Sequence, residues 1–361
     1  MKQGGALQVA HSFLYEINHD FNHEFAIVIS DKLAGLVNVE EFSSNFKFFN
    51  YTIEPSLLKA FTGKDSFLNK VEKEFRPDRV FSVFGSTYWK PSVKHVCGFA
   101  KPAYIYKESP YFDQLIIKQK IELAFMEFVH MYDFKYFNSM LITENADVSN
   151  RLRKKVSQEV VTVSNTFNQV FKDEKQWDRT LMLHTENIDI KLLTIAANYP
   201  HKNLAIIKSV IPILRNLYPS FRFKFYLSVT MDDFGMDSKD SCNENVEFLG
   251  NVKINQCPWL YSQCDFLFLP TLLECFSASY CEAMYMKLPI LTSDLSFARG
   301  ICGDAAIYFN PINANDIAHA IYDLAKNKIK QNLLIEAGEA QLLSLETSQT
   351  RAKKYLDLIT S

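Results

Sequence analysis

The chain has 361 residues, 39 basic and 41 acidic side chains, and a formal net charge of −2. That length exceeds one ordinary core and suits two domains, and the near-balance of charge argues against a nucleic-acid-binding surface. Thirty Phe and 17 Tyr are too many to be surface decoration. Most must be core, and the surplus is available for an interface or a membrane-facing patch. Along the first half, buried strands are expected at Phe25–Ser30, Arg79–Phe84, His95–Phe99, Met140–Thr143 and Val160–Val163. In the second half they are expected at Lys191–Ala196, Phe223–Val229, Val246–Phe248, Phe266–Leu269, Pro289–Thr292 and Ala305–Phe309. Amphipathic helical stretches alternate with these runs, the pattern of parallel sheets covered by helices on both faces. The polar interval Asn165–Asp189 carries no strand signal, so the domain boundary is expected inside it: residues 1–175, then 176–340, with a helical stretch over 341–361.

Seven cysteines are scattered without Cys-x-x-Cys pairs and without zinc spacing to histidine, as in a reducing cytoplasm with buried thiols. No apolar run approaches the length needed to span a bilayer and no signal peptide is read, so a soluble or peripheral cytoplasmic protein is expected.

The segment Pro270-Thr-Leu-Leu-Glu274-Cys-Phe276-Ser277-Ala278-Ser-Tyr-Cys-Glu282-Ala283 is the most informative in the chain. It follows the apolar run Phe266–Leu269, so a strand ends at a proline and gives way to a turn and a helix. Glu274 then lies in the turn and Glu282 near the second helical turn. Both acids can face the crevice beyond the strand's carboxyl end, where open α/β sheets bind ligands. A helix starting near Ser277 aims free N–H groups at the same place, which suits a diphosphate. Paired acids at this spacing also occur on plain solvated helix faces, so spacing alone does not decide.

The continuation decides more: Pro289-Ile-Leu-Thr, then Cys302-Gly303-Asp304-Ala-Ala306 and Asn310-Pro311. In this order the motifs resemble the C-terminal signature of family-4 glycosyltransferases, retaining enzymes of the GT-B architecture. The resemblance implies two Rossmann-like doubly wound domains facing across a cleft, with the terminal helix crossing back to the first domain. It implies that Glu274 contacts the transferred sugar as the catalytic positioning group and that Glu282 holds the ribose. It also implies that Lys202, in Tyr199-Pro-His-Lys202-Asn203, binds the diphosphate together with the helix start at Phe276, Ser277 and Ala278. Val252, in Leu249-Gly250-Asn-Val252, matches the loop that meets the nucleotide base through its backbone. An arginine usual in the family a few residues before the lysine is replaced by Ala196 and Ala197. No catalytic metal and no cofactor are expected, since Asp232, Asp233 and Asp237 sit in a stretch with the composition of a solvated loop.

The first half departs from the family at its start. Met1-Lys-Gln-Gly4-Gly5 reads as a turn entering a helix without the buried strand before it. The first domain is therefore expected to lack its first strand, by truncation or by loss. Gly5 either brings backbone close to donor phosphates or acceptor or belongs to a flexible terminus. Tyr88, Trp89, Phe99 and Lys101 lie beyond first-half strands and resemble the acceptor wall of polysaccharide-assembly relatives, although aromatics there also serve as core. Asn165 reads as a turn residue. The helical stretch Lys118–Phe137 has a wide aromatic face that either covers the first sheet or approaches a lipid-linked acceptor at a membrane surface.

The expected function is transfer of a sugar from a nucleotide diphosphate donor to a saccharide or lipid-linked saccharide in surface-polysaccharide assembly. A degenerate, non-catalytic GT-B partner is the alternative, favoured by the absent strand and the two alanines. A nicotinamide dehydrogenase lacks its sign, because no strand here is followed by Gly-x-Gly-x-x-Gly.

Overall fold

A computed structural model describes residues 5–52, 56–184, 186–237 and 240–361. Two compact units result. One takes the chain up to Ile105, Leu115–Asn165 and Glu346–Ser361; the other takes Tyr106–Gln114 and Thr166–Leu345. The division after Asn165 falls ten residues before the expected boundary, and the short insertion Tyr106–Gln114 was not anticipated.

In the second unit the strands are β7 (Ile190–Thr194), β8 (Phe223–Leu227), β9 (Val246–Phe248), β10 (Phe266–Leu269), β11 (Ile290–Ser293) and β12 (Ala306–Phe309). All pair in parallel, in the order β12-β11-β10-β7-β8-β9. β10 and β11 are buried at every position, as expected of inner strands covered on both faces. Phe268 of β10 stands against Phe225 and Phe309 at ring separations of 5.3 and 5.6 Å. The apolar face of helix Ile207–Leu217 (Ile207, Val210, Ile211, Leu214) and that of Ala314–Lys326 (Ile317, Ile321, Leu324) close the same core. From β7 the chain builds outward through β8 and β9, then returns to the other side of β7 with β10. The order reverses between β7 and β10, the place where an open α/β sheet leaves a crevice at its carboxyl edge.

The first unit is built differently. β1 (Phe25–Ile29) pairs in parallel with β2 (Phe46–Asn50), and β3 (Arg79–Ser82), β4 (Lys94–Gly98), β5 (Met140–Thr143) and β6 (Glu159–Thr162) form a second parallel sheet in sequence order. Among the described residues no strand joins β1 to β3. The two sheets nevertheless share one core: Phe46 and partly buried Phe25 meet Val96, Ile142 and Phe81. Phe13 and Ile17 of helix Gly5–Ile17 and Ala352 and Tyr355 of helix Ser348–Thr360 seal it. Arg351 ties these helices to the sheet, donating to Ser12 at 2.9 Å and to Asn165. Asn165 is thus a buried acceptor for Arg351 in the turn after β6.

β2 was not expected from the sequence. The single helical stretch expected over 341–361 is two helices, Lys328–Leu343 and Ser348–Thr360. The break comes where Thr347 caps the second helix by accepting from the Thr350 N–H, a start signal that outweighs helical propensity. Gly98 ends β4 where a β-carbon would lie 1.8 Å from the Val83 carbonyl oxygen, so only glycine permits that approach.

Candidate functional site

Two loops at the reversal point of the second sheet carry the polar groups. After β7 the chain turns through Tyr199 into a single helical turn, Pro200–Lys202, closed by Asn203 in the left-handed region at φ 55°. Asn203 holds that turn by donating to the carbonyls of Pro270 at 3.2 Å and Pro311 at 2.8 Å. The loop after β10 is tied to the same turn, because the His201 carbonyl accepts from the Leu272 N–H at 2.7 Å and the Thr271 hydroxyl at 3.1 Å. The Leu272 carbonyl in turn accepts from Ser109 at 2.6 Å, which explains why Tyr106–Gln114 packs with this unit.

This bracing brings Lys202 and Glu274 together. The Lys202 ammonium donates to Glu274 Oε1, which also accepts from Thr271 at 3.3 Å. Both side chains are largely buried, with 17 and 12% of their surface exposed. A paired charge at that depth is held by its partner and by few waters. His201 sits beside them between Tyr199 and Tyr111. Burial lowers its imidazole below the ordinary value, against the opposing pull of Glu274.

The helix expected near Ser277 starts at Ala278 and runs to Tyr285, with Ser277 in extended geometry at its cap and no side chain closing the cap. Its placement over the strand ends follows from one chain of hydrogen bonds. The Tyr280 hydroxyl meets Thr292 at 2.8 Å, and Thr292 donates to the Leu269 carbonyl at 2.9 Å. Glu282, one turn on, is buried and accepts from the Tyr261 hydroxyl at 2.8 Å through Oε2. Burial raises its carboxyl to about 7, with the Tyr261 hydrogen bond opposing. Phe276 is half-buried beside the cap. Val252 is half-buried in the loop after β9, which turns at Gly250 with φ 67°. Where the family's arginine would stand, the Ala196 N–H is occupied by Ser228 at 2.8 Å. Asp232 and Asp233 form the first turn of a short helix, Met231–Phe234, capped by Thr230.

In the first unit the expected acceptor wall divides. Phe99 is fully buried against Phe134, and Trp89 packs with Tyr51 and Leu68 while donating to Asn69 at 2.8 Å. Both are core side chains, a correction to the expected wall: Phe134 of the helix Ile117–Tyr136 covers Phe99, and Leu68 and Asn69 of the helix Ser66–Phe75 hold Trp89. Tyr88 and Lys101 remain half-buried. Gly5 opens the helix Gly5–Ile17, and a β-carbon there would meet nothing within 4 Å. Among the described residues, no close approach of protein atoms requires glycine at that position.

Around Tyr88 the fold assembles groups that sequence reasoning missed. Tyr88 has φ 57° and donates its N–H to Asp133 at 2.6 Å. His130 bridges the Tyr88 and Tyr104 hydroxyls at 2.6 Å each through its two ring nitrogens. Burial lowers His130 to about 4 and raises Asp133 to about 6. A neutral imidazole has one N–H and one acceptor, so His130 orders the two tyrosines without carrying charge at neutral pH. The available signal was the three-residue spacing of His130 and Asp133, which puts both on one helix face.

Comparison with known proteins bears on the second unit first. Residues 189–341 match the family described as Glycosyl transferases group 1. The O-antigen chain mannosyltransferase RfbU of Salmonella typhimurium is 26% identical over 136 residues, which are 37% of this chain and 37% of that protein. The match therefore spans little more than a third of that relative. The crystal structure of WaaG, a glycosyltransferase involved in lipopolysaccharide biosynthesis, matches with a TM-score of 0.71 and 12% identity, over 100% of this chain and 97% of that one. Anabaena HepE, solved with UDP and glucose, matches at 0.66 and 14%, over 100 and 97%. At such identities the likeness establishes the fold: the chain has the parallel α/β fold of GT-B glycosyltransferase structures, and its second unit carries the sequence similarity to glycosyl transferases group 1.

Proposed function

We propose that this protein is a retaining glycosyltransferase that moves a sugar from a nucleotide diphosphate donor to a saccharide or lipid-linked saccharide in surface-polysaccharide assembly. The observation that carries this reading is the buried Lys202–Glu274 pair at the reversal point of the second sheet, beside the open start of the helix Ala278–Tyr285. Without ligand the two charges satisfy each other. A diphosphate competes for the Lys202 ammonium as a charge-assisted partner and is offered the helix-start N–H groups at Ser277 and Ala278. Glu274, released, turns its carboxylate to hydroxyls of the transferred sugar and positions it. Charge developing on the leaving diphosphate meets a fixed cation and helix end in a site shielded from water. No divalent metal is needed in this reading, because these groups supply the positive charge. Glu282 has one oxygen committed to Tyr261 and offers the other to the ribose, while the Val252 loop meets the base.

The similarity of residues 189–341 to glycosyl transferases group 1 supports donor chemistry in this unit. The half-buried Tyr88 and Lys101 are the acceptor-side candidates of the first unit. The second reading, a non-catalytic GT-B partner, draws on Ala196 and Ala197, which leave one phosphate contact unmade. Calorimetric screening against UDP-, GDP- and other nucleotide sugars, followed by transfer assays on the donor that binds, separates the two. Binding with turnover supports the enzyme, and binding of no nucleotide sugar removes it.

A further inference from the structure

Glu282 lies inside the second unit, and no cation among the described residues is paired with it. An acid at that depth ionises only with help from hydrogen bonds to its charged form. The Tyr261 hydroxyl supplies one, donating to Glu282 Oε2 at 2.8 Å. Tyr261 is itself wholly buried. Burial and the adjoining Glu282 hold its hydroxyl well above the ordinary tyrosine range, so it remains a donor at every working pH. Cys257, on the same helix, is the other titratable group beside Glu282, and its thiol is pushed up first by burial and then by that acid. Both neighbours are neutral, and the Tyr261 hydrogen bond is what draws the carboxyl back toward its ionised form.

Rigid surroundings place that hydroxyl. Tyr261 lies in the helix Cys257–Gln263, with its ring edge-on to Phe171 at 5.7 Å. A longer contact of 3.5 Å reaches the Ser279 carbonyl, in the first turn of the helix that carries Glu282. At the start of the Tyr261 helix, Cys257 donates to the Lys253 carbonyl at 3.4 Å, and the Gln256 side chain accepts from the Lys253 N–H at 2.9 Å. One short helix thus anchors both the end of the Val252 loop and the Glu282 carboxylate. A carboxylate free to turn about its last bond presents either oxygen, whereas a locked donor on Oε2 fixes which one is left for a ligand.

We propose that Tyr261 is a positioning residue of the donor site: its hydroxyl takes Oε2 of Glu282 and leaves Oε1 to accept from ribose hydroxyls, so that the site selects ribonucleoside diphosphates over their dideoxy forms. This role rests on the donor-site reading above, and adds to it the group that makes the buried acid a ribose acceptor. Ribose hydroxyls donate, and a carboxylate accepts from them more strongly than a neutral carboxyl does. Without Tyr261 the acid holds its proton further into the neutral range and its two oxygens are no longer told apart.

The test is calorimetric titration of the full chain near neutral pH with UDP and GDP, and with the 2′,3′-dideoxy form of whichever binds. Wild type should prefer the ribose form on the order of 10- to 100-fold. Tyr261→Phe should lose most of that preference while binding the dideoxy form as wild type does, because phosphate and base contacts are untouched. A merely structural role would instead weaken both forms alike and leave the preference in place. Should Tyr261→Phe fail to fold by circular dichroism, its combination with Glu282→Gln leaves no buried charge unpaired and decides. That double variant should show no preference, against an intermediate one for Glu282→Gln alone. A preference that survives in the Tyr261 variants, or is missing from wild type, overturns the role of Tyr261 and leaves nucleotide binding standing. Binding of neither nucleotide removes the donor-site reading and this role with it.

Discussion

The second unit lays its six strands in one sheet whose order turns back between β7 and β10, while those of the first divide into two and four. The continuous sheet places β10 and β11 fully inside, so the loops at its carboxyl edge rest on a fixed frame. In the split unit β3 is half-buried throughout, and Val28 of β1 is exposed. Its cohesion comes from side chains shared between the sheets and from helices Gly5–Ile17 and Ser348–Thr360. Positioned charge belongs on the rigid frame, and a surface that meets a partner tolerates the looser one.

The largest effect expected from this contrast is on stability. Phe268→Ala, which empties the middle of the second core, should cost about 3–5 kcal/mol, whereas Phe48→Ala on half-buried β2 should cost roughly 1–2 kcal/mol. Denaturant unfolding measures both. Equal costs would mean that the split sheet is as tightly packed as the continuous one.

Each unit also buries an acid whose proton is held more tightly folded than unfolded. Asp133 is raised from 3.8 to about 6 and Glu282 from 4.5 to about 7, both by burial. The folded state then binds more protons across each window, so stability falls as pH rises through it and levels off above. Asp133→Asn should flatten that fall between about pH 4 and 6, and Glu282→Gln between about pH 4.5 and 7, each by on the order of 2–3 kcal/mol. Thermal unfolding over this range reads the slopes. Only the Glu282 change should also weaken nucleotide binding; if Asp133→Asn weakens it as much, the separation of roles between the units is wrong.

A smaller effect is expected at Glu274. Glu274→Gln should lower turnover while leaving free nucleoside diphosphate affinity unchanged or raising it a few-fold, because Lys202 loses its competing carboxylate. Loss of nucleotide affinity would show that Glu274 contacts the nucleotide itself. Smallest of all, chelator should leave donor binding unaltered in calorimetry, and a chelator-dependent loss would place a metal in the site.

The strands were legible because runs such as Phe266–Leu269 are apolar throughout and end at a turn signal. β2 was not, since Phe46-Lys-Phe-Phe-Asn50 mixes aromatics with polar residues at neither strand nor helix period. Glu274 and Lys202 could be found one at a time from their positions after strands. Their pairing could not, because it depends on β7 lying beside β10 across 72 residues of chain. Trp89 and Phe99 were visible as aromatics, but whether they faced a crevice or a core depended on where two helices lie, Ser66–Phe75 for Trp89 and Ile117–Tyr136 for Phe99. The same helix hid His130 and Asp133, whose partners come from separate loops.

The most direct test of the donor site is a calorimetric comparison of a nucleoside and its diphosphate on the wild-type chain and on Lys202→Ala. The expected result is a loss on the order of 10- to 100-fold in diphosphate affinity with nucleoside affinity unchanged, since only the phosphates meet the ammonium. Equal loss for both ligands, or no loss for either, would contradict a diphosphate site built on Lys202.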